Sequence, residues 1–230
     1  MIITDEVKPL FNKTQICVPI FEKTYESALQ SSKFSIDAGA DLLELRIDFL
    51  ESPDPDDVKN LIQEINFPLI ATNRRKEENG FFTGSEADRI EIILEASKVA
   101  EIVDIELGTD RDDLKNVIKT SSFSIVSYHD FEKTPDKDFL LEIVDEELKL
   151  GDMAKFAVMP KTMADTLTVL DVLTEVKNTV GISMGDMGSY TRVVAPLFGS
   201  PITFATYENS SAPGQLSIET TRDFINKLNK

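Results

Sequence analysis

Eight short runs of apolar, β-prone residues recur along the chain: 15–20 (QICVPI), 42–48 (LLELRID), 68–74 (PLIATNR), 102–107 (IVDIEL), 122–129 (SFSIVSYH), 153–159 (MAKFAVM), 180–185 (VGISMG) and 201–206 (PITFAT). Longer polar stretches with helical spacing separate them. In 86–98, Ile90, Ile93, Leu94 and Ser97 follow one helical face; in 162–177, Met163, Leu167, Leu170, Val172 and Leu173 trace a broad stripe. Ser85 and Asp110 stand where such helices need capping side chains. Strands alternating with helices predict βαβ units and a parallel sheet. Eight of them across residues 1–230, with no linker or break in composition, predict an α/β protein of one domain, a (β/α)8 TIM barrel. An open doubly wound sheet is the alternative. Its dinucleotide fingerprint is missing from the first strand–helix turn, Pro19-Ile-Phe-Glu-Lys-Thr24, which holds no glycine.

Alternation within the strands says which way they face. In the second strand Leu43, Leu45, Ile47 and Phe49 share one face, and Glu44, Arg46 and Asp48 the other. In the fourth, Val103, Ile105 and Leu107 oppose Asp104 and Glu106. Helices cover the outside of a barrel, so the outer face must be apolar and the polar face points inward. The same parity turns Arg74, His129 and Lys155 inward. Charges inside a barrel are costly unless paired or functional, and most of these sit late in their strands, where barrel enzymes build active sites. A polar pocket is expected there; an ion-pair network of purely structural purpose is the alternative.

Composition narrows the classes of function. With 24 Lys and Arg against 41 Asp and Glu, the net charge is −17, which disfavours phosphate backbones and anionic lipid surfaces, so neither nucleic acid nor membrane is an expected partner. A lone cysteine, Cys17, suits a reducing cytoplasm. No apolar run approaches the ~18 residues of a membrane span, and the first residues lack a signal-peptide pattern; a soluble, intracellular protein is expected.

Two residues carry the candidate chemistry. Lys155 lies mid-strand among Ala, Phe and Val. It is either an edge lysine whose stem packs while the ammonium reaches water, or an amine made nucleophilic by burial and by the cations Arg46 and Arg74. His129, the sole histidine, ends its strand facing the same pocket; it is either a satisfied core residue or a general acid–base. One histidine excludes His-rich zinc chemistry, while Mg²⁺ held by Asp48, Asp104 and Glu106 stays open. The turn 184–192 offers backbone amides and Arg192 to an anion. The loops 75–84 and 207–215 are polar, flank the pocket, and are expected to be mobile and to close over it.

Glu44-Leu-Arg46-Ile-Asp48, Thr72-Asn-Arg74, Glu78-Asn-Gly80, Ser127-Tyr-His129-Asp-Phe131, Lys155-Phe-Ala-Val-Met159, Gly188-Ser-Tyr-Thr-Arg192 and Ser211-Ala-Pro-Gly-Gln215 together resemble type I 3-dehydroquinate dehydratase. The motifs come in order over nearly the whole chain, one at almost every strand end. The resemblance implies a (β/α)8 barrel of the shikimate pathway, a homodimer in the family, that dehydrates the small molecule 3-dehydroquinate to 3-dehydroshikimate through a lysine imine, without metal or cofactor. It implies that Lys155 is the Schiff-base lysine, His129 the catalytic histidine and Glu78 its orienting partner. Glu44, Arg46, Arg74, Arg192, Ser211 and Gln215 become the substrate contacts. Three positions depart from the family pattern: Asn79 where two glycines often follow the glutamate, Thr191 where serine often precedes the arginine, and Pro19 where a small polar residue often ends the first strand. A class I aldolase and a non-catalytic binder of small acids remain competitors, separable by their products and by the absence of a covalent imine.

Overall fold

A computed structural model of the chain describes residues 11–207 and 216–228. All eight expected strands form: β1 (Gln15–Ile20), β2 (Leu42–Arg46), β3 (Leu69–Thr72), β4 (Ile102–Glu106), β5 (Ser124–Asp130), β6 (Met153–Val158), β7 (Thr179–Ser183) and β8 (Ile202–Phe204). They pair in parallel in the order β7-β6-β5-β4-β3-β2-β1-β8. Between them run α1 (Tyr25–Asp37), α2 (Pro55–Ile65), α3 (Glu86–Ser97), α4 (Arg111–Thr120), α5 (Lys137–Leu150), α6 (Met163–Glu175), the short α7 (Gly185–Gly188) and α8 (Thr191–Val194), with α9 (Ile218–Leu228) last. Together they make a (β/α)8 barrel. Its β7–β8 seam carries no ladder among the described residues; α8 packs against both strands there instead.

Caps start the helices where the sequence places them. Ser85 and Asp88 form a reciprocal capping box on α3, and Asp110 accepts from the amides of Asp112 and Asp113 at α4. The stripe on α6 needs correction. Leu170, Val172 and Leu173 are buried, but Met163 and Leu167 are more than half exposed. The core side of α6 also takes Thr166, whose hydroxyl donates to the Met163 carbonyl and pairs with the Tyr190 hydroxyl, so the buried face lies one step round from the apolar count.

Two apolar layers form the core, one inside the barrel and one between the strands and the surrounding helices. Cys17, Leu42, Ile70, Ile102, Ile125, Met153, Val180, Ile202 and Phe204 belong to one apolar cluster. Leu43, Leu45, Leu69, Ala71, Val103, Ile105 and Val126 belong to another, packed with helix residues such as Val58, Ile93 and Val117. The outer faces are therefore apolar, as the alternation requires. The lower interior is an apolar plug, and the charged side chains gather above it at the C-terminal ends of the strands.

Candidate active site

The strands β2 and β3 end sooner than the alternation suggests. After Arg46 the chain enters a 3-10 turn, Ile47–Phe49, and β3 stops at Thr72. Asp48 and Arg74 therefore lie just past their strands. Arg74 still turns inward: its Nη1 donates to Glu106 Oε1 and Ser127 Oγ, each at 2.8 Å, and lies 3.1 Å from Asp104 Oδ1. Asp48 instead ties loops together. It receives Arg46 Nε and Nη2 at 2.9 and 2.8 Å, and the amides of Arg74 at 3.3 Å and Phe81 at 3.1 Å. Arg46 also lies over the rings of Phe21 and Phe49, 5.1 Å from each centroid.

Lys155 is buried to 4% exposure, with Nζ 2.7 Å from Asp104 Oδ2, 3.5 Å from Glu44 Oε1 and 4.9 Å from the Phe204 ring centre. Thr72 donates to the same Glu44 oxygen at 2.9 Å, and Ser127 to Asp104 Oδ1 at 2.7 Å. The expectation that Arg46 and Arg74 depress this amine is reversed by the structure. Burial lowers it, but Asp104 and Glu44 outweigh burial and Arg74, and the amine stands above its ordinary value. At rest it is an ammonium. Asp104, despite its burial, is held far below the carboxylate range by Arg74 and Lys155.

Lys155 pairs with Ser127 on β5, and His129 lies two residues on, so both side chains share one face a diagonal step apart. His129 Nδ1 is 2.8 Å from Glu78 Oε2. Burial, then Arg74 and Lys155, hold the imidazole well below its usual value, so it is neutral. Burial and Glu106 raise the Glu78 carboxyl to about 8 against the pull of Arg74. A neutral imidazole with one nitrogen engaged leaves Nε2 for substrate.

Hydrogen bonds tie the segment carrying Glu78 to the turn after β2 and to β4. A 3-10 turn spans Lys76–Glu78; Glu106 Oε1 receives the Arg75 amide at 3.2 Å, and Asp48 grips the segment at Arg74 and Phe81. Asn79 sits at φ 59°, the left-handed region that glycine favours and asparagine tolerates. Gly80 has no such freedom: a Cβ there would lie 1.8 Å from the Arg74 carbonyl oxygen.

Arg192, on α8 past β7, differs from the other arginines. Its Nε is buried without a hydrogen-bond partner, no carboxylate pairs with it among the described residues, and burial alone lowers its guanidinium to about 10. Such a cation is set to receive an anion. Ser211 and Gln215 lie outside the described residues. The carboxylates left open for Mg²⁺ each already hold cations: Asp48 holds Arg46, Asp104 holds Lys155 and Arg74, and Glu106 holds Arg74 and Arg89. Among the described residues no cluster suited to a metal forms and no helix is long and apolar enough to cross a membrane.

Arg89 is a buried charge that the strand pattern does not reveal. It comes from α3, outside the barrel, at 2% exposure. Its signal in the sequence is its spacing, four residues before Ile93 on the face that turns inward.

Comparison with known proteins agrees with this geometry. The sequence pattern described as Type I 3-dehydroquinase matches residues 16–230. The 3-dehydroquinate dehydratase of Methanothermobacter thermautotrophicus is 51% identical over 215 residues, covering 94% of this chain and 97% of that protein. Among solved structures, the 3-dehydroquinate dehydratase of Geobacillus kaustophilus superposes with a TM-score of 0.87 at 28% identity, over 95% of this chain and 92% of that one. A type I enzyme from Clostridium difficile, crystallised with covalently modified comenic acid, gives a TM-score of 0.88 at 30% identity, over 94% and 92%. The barrel, the buried lysine and the histidine–glutamate pair therefore sit in an enzyme chain that belongs to the type I 3-dehydroquinase family.

Proposed function

We propose that this enzyme dehydrates 3-dehydroquinate to 3-dehydroshikimate in the shikimate pathway through an imine on Lys155, working as a cytoplasmic homodimer without metal or cofactor. One observation carries the mechanism: a buried amine one diagonal step from a neutral imidazole held by Glu78. The covalently modified comenic acid in the Clostridium difficile relative supports covalent chemistry in this family.

The amine must first give up a proton. His129 is the neutral base facing it, and Asp104, held so far down, is a poor acceptor. Nζ then attacks the C3 carbonyl carbon while the oxygen takes a proton, and the carbinolamine loses water to an iminium. The iminium draws electrons from the adjacent C2–H bond, and His129 removes that proton to leave an enamine. The enamine expels the C1 hydroxyl, protonated by the imidazolium, and the C1–C2 double bond forms. Water hydrolyses the product imine and restores Lys155. Glu78 orients the imidazole and, once its raised carboxyl has given up its proton, offsets the imidazolium charge. Arg192 receives the substrate carboxylate as a two-pronged donor, and Glu44, Arg46, Arg74, Ser211 and Gln215 meet the ring hydroxyls.

Reductive trapping tests this. Borohydride added during turnover should convert the imine to a stable secondary amine, with mass spectrometry placing the added mass on the Lys155 peptide. Lys155→Ala should lose both label and activity. Label on another lysine overturns the assignment; full dehydratase activity without any label overturns the imine.

A further inference from the structure

We propose that Arg89 on α3 is a positioning residue for the reacting centre: by holding Oε2 of Glu106 it fixes the carboxylate to which Arg74 and the Glu78-bearing segment are both tied. The proposal rests on the roles given above to Lys155, His129 and Glu78.

Every donor of the Arg89 guanidinium is used. Nε and Nη2 donate to Glu86 Oε2 and Oε1, each at 2.8 Å; Nη1 donates to the Asn73 carbonyl at 2.8 Å and to Glu106 Oε2 at 3.0 Å; Nη2 also donates to Thr109 Oγ1 at 3.1 Å. Five bonds for five N–H groups make a rigid fork. The Asn73 amide returns the contact, donating to the Arg89 carbonyl at 3.3 Å. Arg89 thus grips β3's exit, β4's end and its own helix at once.

Glu106 is fully buried and its two oxygens have separate tasks. Oε1 serves the site, taking Arg74 Nη1 at 2.8 Å and the Arg75 amide at 3.2 Å. Oε2 takes Arg89. A buried carboxylate with one bare oxygen is costly, so without Arg89 it would turn both oxygens toward Arg74. The result is a line of alternating charge from the outer helix to the amine: Arg89, Glu106, Arg74, Asp104, Lys155. Each link is a salt bridge of 3.1 Å or less between groups at most 5% exposed on both sides. Screening by water is weak there.

The titratable and charged groups facing this line are Cys17 from β1, Glu44 and Arg46 from β2, Arg75 and Glu78 from the segment after β3, His129 from β5, Glu147 from α5, and Glu86 beside Arg89 itself. Removing the Arg89 charge leaves the site more negative, and protons should bind more tightly at His129.

His129 is the sole histidine, so its imidazole gives one NMR signal that can be titrated without substrate. In Arg89→Gln the midpoint should move up, kcat should fall ~10–100-fold through misplacement of the site, and KM should change less than kcat. Arg89→Lys, which keeps the charge, should hold the wild-type midpoint and recover part of kcat. Glu86→Gln is an exposed change that needs no core rearrangement; leaving Arg89 less balanced, it should move the midpoint down and serves even if Arg89→Gln fails to fold. An unmoved or lowered midpoint in Arg89→Gln, an unmoved one in Glu86→Gln, or equal effects of Lys and Gln at position 89 would overturn the proposal. Failure of the imine mechanism would show separately, as absent trapping in the wild-type enzyme.

Discussion

Replacing Asp104 by Asn tests what sets the protonation of the Lys155 amine. Asp104 lies 2.7 Å from Nζ, and at an effective dielectric of about 20 that attraction is worth about 6 kcal/mol, or ~4 pH units of amine pKa. This is an upper limit, because the asparagine carbonyl still accepts a hydrogen bond and Arg74 keeps Glu106. The amine is at present raised above its ordinary value, against burial, by Asp104 and Glu44. With the charge gone, burial and Arg74 should bring it down. His129 and Glu78 move the same way, because Asp104 raises both. The acid limb of imine formation should therefore shift to lower pH, by at least one unit. The assay is trapping with cyanoborohydride across pH, the labelled Lys155 peptide being counted by mass spectrometry in the wild type and the variant. The same change leaves Lys155 with Glu44 alone, 3.5 Å away, so stability should fall by at most about 3–5 kcal/mol and the melting temperature by at most roughly 6–20 °C. A labelling midpoint that stays in place would refute the account, whatever happens to stability.

Glu147 and Arg192 give two further expectations. Glu147 on α5 is wholly buried, with both carboxyl oxygens unsatisfied; its contact with the Lys155 amide falls short of a hydrogen bond, and burial, then Asp104, pushes the carboxyl well above its usual value. The fold keeps a proton that the unfolded chain releases near pH 4.5, so its contribution is greatest below that pH and is lost as pH rises. Glu147→Leu should therefore raise stability near neutrality by about 1–3 kcal/mol and weaken its decline with pH, as thermal melts would read; a lower melting temperature would show that the carboxyl is satisfied. Arg192→Met removes a buried cation with no carboxylate partner among the described residues, so the melting temperature should not fall, while KM should rise ~10–150-fold on loss of a charge-assisted contact worth about 1.5–3 kcal/mol; an unchanged KM would remove Arg192 from substrate binding.

The eight strands, the caps at Ser85 and Asp110 and the inward set Glu44, Arg74, Asp104, Glu106, His129 and Lys155 were all legible in the sequence. Each follows from a period-two or capping rule acting over a few residues. The motif order also pointed to the family. Three things were decided only by tertiary structure. The first is the sign of the shift at Lys155: the sequence shows which charges share a pocket, but the nearest one wins, and proximity to Asp104 arises between β4 and β6, 51 residues apart. The second is the division of labour among the acids, where Asp48, past the strand's end, clamps loops instead of facing the pocket. The third is Arg89: its spacing puts it on the inward face of α3, but only the tertiary structure brings the ends of β3 and β4 there as acceptors. Local rules place a side chain on a face; which charges meet across the barrel depends on contacts between segments far apart in the chain, and no periodicity encodes them.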